Sequence, residues 1–81
     1  MVRDKYGKPI EMKRYALWLE KAGYGRDFLS TSSDFNQLKR LGKKALLAYK
    51  EESYDVTIED NKTGKAWYIN WGGDEKWHLY D

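Results

Sequence analysis

Tyr54 to Trp71 reads YDVTIEDNKTGKAWYINW, two alternating apolar and polar runs on either side of Asn61-Lys62-Thr63-Gly64. Alternation with a period of two places one set of side chains on each face of a strand. Asn-Lys-Thr-Gly suits a type I turn followed by a glycine in the left-handed region, so the stretch predicts a β-hairpin with a bulge at its turn. That turn sets the register. If Asp60 faces Lys65, then Ile58 faces Trp67, Val56 faces Ile69 and Tyr54 faces Trp71, which makes one face strongly apolar. The other face pairs Glu59 with Ala66, Thr57 with Tyr68 and Asp55 with Asn70, and reads as the solvent side. A lone two-stranded sheet is marginal in water, so this hairpin calls for more strands and for a cover over its apolar face.

The cover is the preceding stretch, Thr31 to Glu52, TSSDFNQLKRLGKKALLAYKEE. With about 100° of rotation per residue, Phe35, Leu38, Leu41, Gly42, Ala45, Leu46, Ala48 and Tyr49 share one arc of a helix. Lys39, Arg40, Lys43, Lys44 and Lys50 fill much of the opposite arc, with Leu47 standing among them. Thr31, Ser32 and Ser33 are all good N-caps, Thr31 to Asp34 has the spacing of a capping box, and Asp34 sets a negative charge at the positive end of the helix dipole. Gly42 costs the helix about 1 kcal/mol relative to alanine, which points to close approach by a strand beneath it.

Additional strands come from the N-terminal half. Tyr15, Leu17 and Leu19 alternate with Arg14, Ala16, Trp18 and Glu20, and after the loop-like AGYGRD the run FLSTS supplies a returning strand. The alternative takes Ile10 to Ala22 as a helix, with Pro9 near its start and Gly23 after its end. The strand reading gives the better sheet. Gly72-Gly73-Asp74-Glu75 reads as a further turn, leaving Lys76 to Tyr80 available as a fifth, edge strand with Trp77 and Leu79 on one side. The expected fold is therefore a small α+β two-layer domain of order β-β-α-β-β, one long amphipathic helix on an antiparallel sheet; the alternative order is α-α-β-β-β. Residues 1–81 are read as a single domain, with residues 1–9 as an arm.

At 81 residues the chain can bury only roughly 60% of its unfolded surface, so each large apolar side chain carries weight. A hydrophobic fraction of 41% with 35% charged residues describes a folded chain with a well-solvated surface. There is no cysteine, which excludes disulfides, thiolate catalysis and cysteine-based zinc sites. No stretch approaches the roughly 20 apolar residues of a membrane span, and the opening MVRDKYGKPIEMKRYALW lacks the apolar run of a signal peptide, so no membrane partner and a cytoplasmic location are expected. The net charge of +2 is unevenly laid out: residues 1–50 carry twelve Lys or Arg against five Asp or Glu, and residues 51–81 carry three against eight. Such a layout suits an anionic partner or attraction between the two halves.

Catalysis finds little support. His78 is the single histidine, and neither Asp74, Glu75 nor Asp81 stands at a recognised ligand spacing from it, so no metal and no cofactor are expected. Ser30, Ser32 and Ser33 lack an adjacent base and are better explained by capping. Gly72-Gly73 is not followed by the Gly-Lys-Ser/Thr of a phosphate loop, and no small-molecule substrate is expected. Two binding readings remain. Four Trp and seven Tyr exceed what one thin core can bury, and exposed aromatics are enriched at interaction hot spots. The first reading is thus a non-enzymatic binding or adaptor module that docks on another protein, or self-associates, through Trp18, Leu47, Tyr68 and Trp77. The second is nucleic-acid binding through Lys39, Arg40, Lys43 and Lys44 on the helix, since phosphate contacts need only positive charge and reach.

Overall fold

The computed structural model describes residues 6–21, 25–49, 54–70 and 76–80. Five strands and one helix follow in the order β1 (Tyr15–Lys21), β2 (Gly25–Ser32), α1 (Phe35–Ala48), β3 (Asp55–Asp60), β4 (Ala66–Asn70) and β5 (His78–Leu79). The sheet runs β2-β1-β3-β4-β5, with every neighbouring pair antiparallel. This is the β-β-α-β-β order with its fifth edge strand, and Tyr15–Lys21 is a strand rather than a helix. Because β2 and β3 both run antiparallel to β1, they are parallel to each other and need a crossover between them. Helix α1 is that crossover, and it packs on β1, β2 and β3 more than on β4.

The hairpin register expected from the turn is the one observed: Ile58 stands opposite Trp67, Val56 opposite Ile69, Thr57 opposite Tyr68, Glu59 opposite Ala66 and Asp55 opposite Asn70. Trp71, the expected partner of Tyr54, lies outside the described residues. Gly64 has φ 78° and its N–H donates to the Asp60 carbonyl at 2.8 Å, so glycine relieves a left-handed position there. The Asp60 carboxylate locks the turn from inside. It accepts from Arg14 Nε and Nη2 at 3.2 and 3.1 Å, from the Lys62 and Thr63 N–H groups, and from Thr63 Oγ1. The guanidinium, with these backbone and hydroxyl donors, holds the Asp60 carboxyl well below the usual carboxylate range. Asn61 completes the tie by donating its side-chain amide to the Lys13 carbonyl at 2.9 Å.

The core lies between sheet and helix, where Leu17, Leu19, Val56, Ile58 and Ile69 meet Leu38 and Leu46. Only Leu38, Gly42 and Leu46 of the helix are fully buried; Leu41, Ala48 and Tyr49, expected on the apolar arc, are exposed. The helix also starts later than its polar signals suggest. Thr31 and Ser32 belong to β2, opposite Ala16 and Tyr15, and the N-cap is Asp34, whose Oδ1 accepts from Asn36 N at 3.0 Å and Gln37 N at 3.3 Å. The hydroxyls expected to cap instead hold the strand and turn: Thr31 Oγ1 donates to the Tyr15 carbonyl and Ser32 Oγ accepts from Asp34 N. At its far end the helix stops at Ala48, with Tyr49 as C-cap; residues 50–53, including Lys50, lie outside the described residues.

Two further departures shape the sheet. The register shifts between Leu17, opposite Ser30, and Trp18, opposite Phe28, so Leu29 is an extra residue in β2. That bulge sends Leu29 to the core while Phe28 joins Trp18 on the other face. The other face is also less wet than expected, for Ala16 and Thr57 on it are 1% and 3% exposed. Among the described residues no helix is long and apolar enough to cross a membrane.

Candidate functional site

One row of side chains crosses the helix-free face through all five strands: Phe28, Trp18, Thr57, Tyr68 and His78 are successive cross-strand partners. Its rings are largely engaged with the protein itself. Arg26 lies over the Trp18 ring at 3.9 Å, Phe28 meets it edge-on at 5.4 Å, and Tyr68 packs against His78 at 5.4 Å and Tyr80 at 4.6 Å. Arg26 is also ion-paired with Glu59. Glu20 and Asp55 face each other on the same side, and burial pushes the Asp55 carboxyl up. An acidic, self-packed surface of this kind offers little to a polyanion.

A different geometry is found on the helix side. A cavity of about 580 Å³ opens between the outer flank of α1 and the segment leading into β5, lined by Asn36, Lys39, Arg40, Lys43, Lys76 and Trp77. The helix residues follow i, i+3, i+4 and i+7 spacing, so they form one continuous stripe. Among the described lining residues none is acidic. Lys39, one of the lining residues, places its Nζ over the Phe35 ring at 5.7 Å from the centroid.

Trp77 forms the opposite wall, and Gly42 explains how it gets there. A Cβ at position 42 would lie 2.7 and 2.8 Å from Trp77 Cζ2 and Cη2, and 3.2 Å from Leu17 Cδ1. The glycine therefore makes room for an indole as well as for the strand beneath it, and the six-membered ring of Trp77 packs into the core against the helix backbone. Its Nε1 is buried and has no hydrogen-bond partner among the described residues. Period-two reading puts Trp77 on the same side as Leu79, and both stand on the helix side of the sheet: Leu79, half exposed, is opposite Trp67, and Trp77, just before the strand, packs against α1.

Lys43 joins this groove to a second, smaller hollow of about 60 Å³ lined by Lys43, Leu46, Leu47 and Ile69. Leu47 is 60% exposed and stands at its rim. The residues singled out by sequence are thus sorted. Trp77 and Leu47 lie along one groove with Lys39, Arg40 and Lys43; Trp18 and Tyr68 lie on the opposite side of the sheet, and Lys44 is exposed on the helix without lining the groove. Asn36 and Lys76 escaped the sequence reading. Helical spacing back from Lys39 and Arg40 could have found Asn36, whereas Lys76 depends on the long-range docking of Trp77. Among the described residues no group of three His, Asp or Glu is placed to hold a metal ion. No protein-family model, curated protein or solved structure matches the chain, so fold and site rest on their own geometry.

Proposed function

We propose that this protein is a non-enzymatic binding module whose docking site is the groove between α1 and the Trp77 segment, and that what docks there is an acidic partner. One observation carries the reading: the helix cations Lys39, Arg40 and Lys43 come together around a single cavity of about 580 Å³ walled by an indole, with no acidic side chain among the described residues that line it. Cations scattered over a helix face are ordinary solvated surface. Cations converging on a concave site create a focused positive potential that attracts and orients an anion. The alternative occupant, a nucleic-acid strand, is supported by the same charge, but its usual stacking platform is missing, because the Trp77 ring edge is already committed to Gly42 and the core.

The test is fluorescence anisotropy at low salt with labelled poly-glutamate and labelled oligothymidylate of matched charge. Binding of either probe should weaken at least tenfold in Arg40→Glu and Lys43→Glu, should fall with added salt, and should survive Lys62→Glu and Lys65→Glu on the exposed hairpin turn. If neither probe binds, or if the turn variants weaken binding as much as the groove variants, the groove is not a docking site.

A further inference from the structure

Leu47 is the clue to what kind of acidic partner the groove takes. It is an aliphatic side chain 60% exposed on the arc of the helix that is otherwise basic, and it sits four residues beyond Lys43, one turn along the same stripe. With Leu46 and Ile69 it shapes a hollow that meets the basic groove at Lys43. A purely electrostatic site has no use for an aliphatic hollow at its end. A ligand that carries both carboxylates and an aliphatic side chain uses both parts.

We infer that the groove receives a short acidic peptide segment from another protein, its carboxylates on Lys39, Arg40 and Lys43 and one aliphatic side chain seated among Leu46, Leu47 and Ile69. This rests on the proposed docking role of the groove and names its partner. The spacing follows from helix geometry. From Arg40 to Leu47 is seven residues, roughly 10 Å along the helix axis at about 1.5 Å per residue. An extended peptide covers that distance in about three residues at about 3.3 Å each, so its aliphatic anchor stands about three residues from its far carboxylate. Lys43 lies roughly 6 Å from Leu47 along the axis and meets a carboxylate about two residues from the anchor. The hollow of about 60 Å³ suits a branched aliphatic tip better than an aromatic ring. Nucleic acid, by contrast, has neither an aliphatic chain for Leu47 nor, with Trp77 held in the core, a free indole face to stack on.

Three labelled probes separate the outcomes: a peptide of three glutamates with a leucine two to three residues away, the same peptide with that leucine replaced by glycine, and oligothymidylate of equal charge. The anchored peptide is expected to bind roughly tenfold tighter than the glycine version. In Leu47→Ser that advantage should vanish while the glycine peptide binds as before; Leu47 is a surface residue, so the variant retains its core. Equal binding of the two peptides, an unchanged advantage in Leu47→Ser, or tighter binding of oligothymidylate would overturn the acidic-peptide assignment and leave the groove as an anion site. Loss of any dependence on Arg40 and Lys43 would remove the docking site itself, and with it both readings.

Discussion

Replacing Gly42 by alanine should destabilise the protein, although the same change in an ordinary exposed helix stabilises it. In the middle of α1 the substitution relieves the backbone entropy of glycine and is worth about 1 kcal/mol in favour of folding. The added methyl, however, would lie 2.7 and 2.8 Å from two ring carbons of Trp77 and 3.2 Å from Leu17 Cδ1. Carbon atoms in contact prefer about 3.5 to 4.0 Å, so the indole has to retreat by roughly 1 Å from a site already packed against the core. Forced overpacking of this kind costs about 1 to 3 kcal/mol. The net expectation is a loss of about 0 to 2 kcal/mol.

The sign alone is not diagnostic, and the double-mutant cycle makes it so. Trp77→Leu keeps an apolar plug beneath the helix but removes the fused ring that the methyl would strike. In that background Gly42→Ala should recover its helical gain of about 1 kcal/mol, giving a coupling of about 1 to 3 kcal/mol between the two positions. Urea unfolding followed by far-UV circular dichroism measures the four corners, and the Trp77 indole N–H resonance should shift in Gly42→Ala. If Gly42→Ala stabilises the unaltered protein by about 1 kcal/mol, and does so equally without the indole, then Trp77 does not occupy the space above Gly42. The groove would then lack its wall.

Asp60→Asn removes the charge that holds Arg14 in the hairpin turn and should lower Tm at neutral pH. Because the folded-state carboxyl is depressed below its unfolded value, its contribution is present above about pH 4 and is lost as pH falls toward the folded value, so the Tm gap between the two proteins should narrow below about pH 4; a gap independent of pH would contradict the assignment. Thr57→Val should stabilise by about 1 kcal/mol in chemical denaturation, since the Thr57 hydroxyl is buried between Trp18 and Tyr68 without a partner among the described residues. Destabilisation instead would mean that the hydroxyl is hydrogen-bonded in solution.

How far the sequence could be read followed the range of each signal. The Tyr54 to Asn70 register was legible because a turn with glycine at the left-handed position and a period-two pattern act within the same few residues. The helix start was misplaced for the opposite reason: Thr31 and Ser32 have cap chemistry, but their backbones pair with β1, a partner about 15 residues away that no local signal announces. The bulge at Leu29 is invisible for the same cause, since only the pairing with Trp18 reveals that two faces are served by successive residues. Lys39, Arg40 and Lys43 could be placed on one helix face, yet whether that face was plain surface or the wall of a groove depended on where residues 76 and 77 go.

Trp77 decides that question, and it links the core to the site. The absence of a side chain at Gly42 admits the indole, and the indole carries Lys76 to the mouth of a groove already lined by Lys39, Arg40 and Lys43 of α1. Gathering positive charges in this way is unfavourable for the empty protein, and an open cavity limits the penalty by keeping each charge hydrated. A fold selected for stability alone could place a carboxylate somewhere along the stripe and gain an i, i+4 pair. This chain leaves the stripe without one, and like charges gathered around an open groove are more often found where a protein binds something than where it is merely held together.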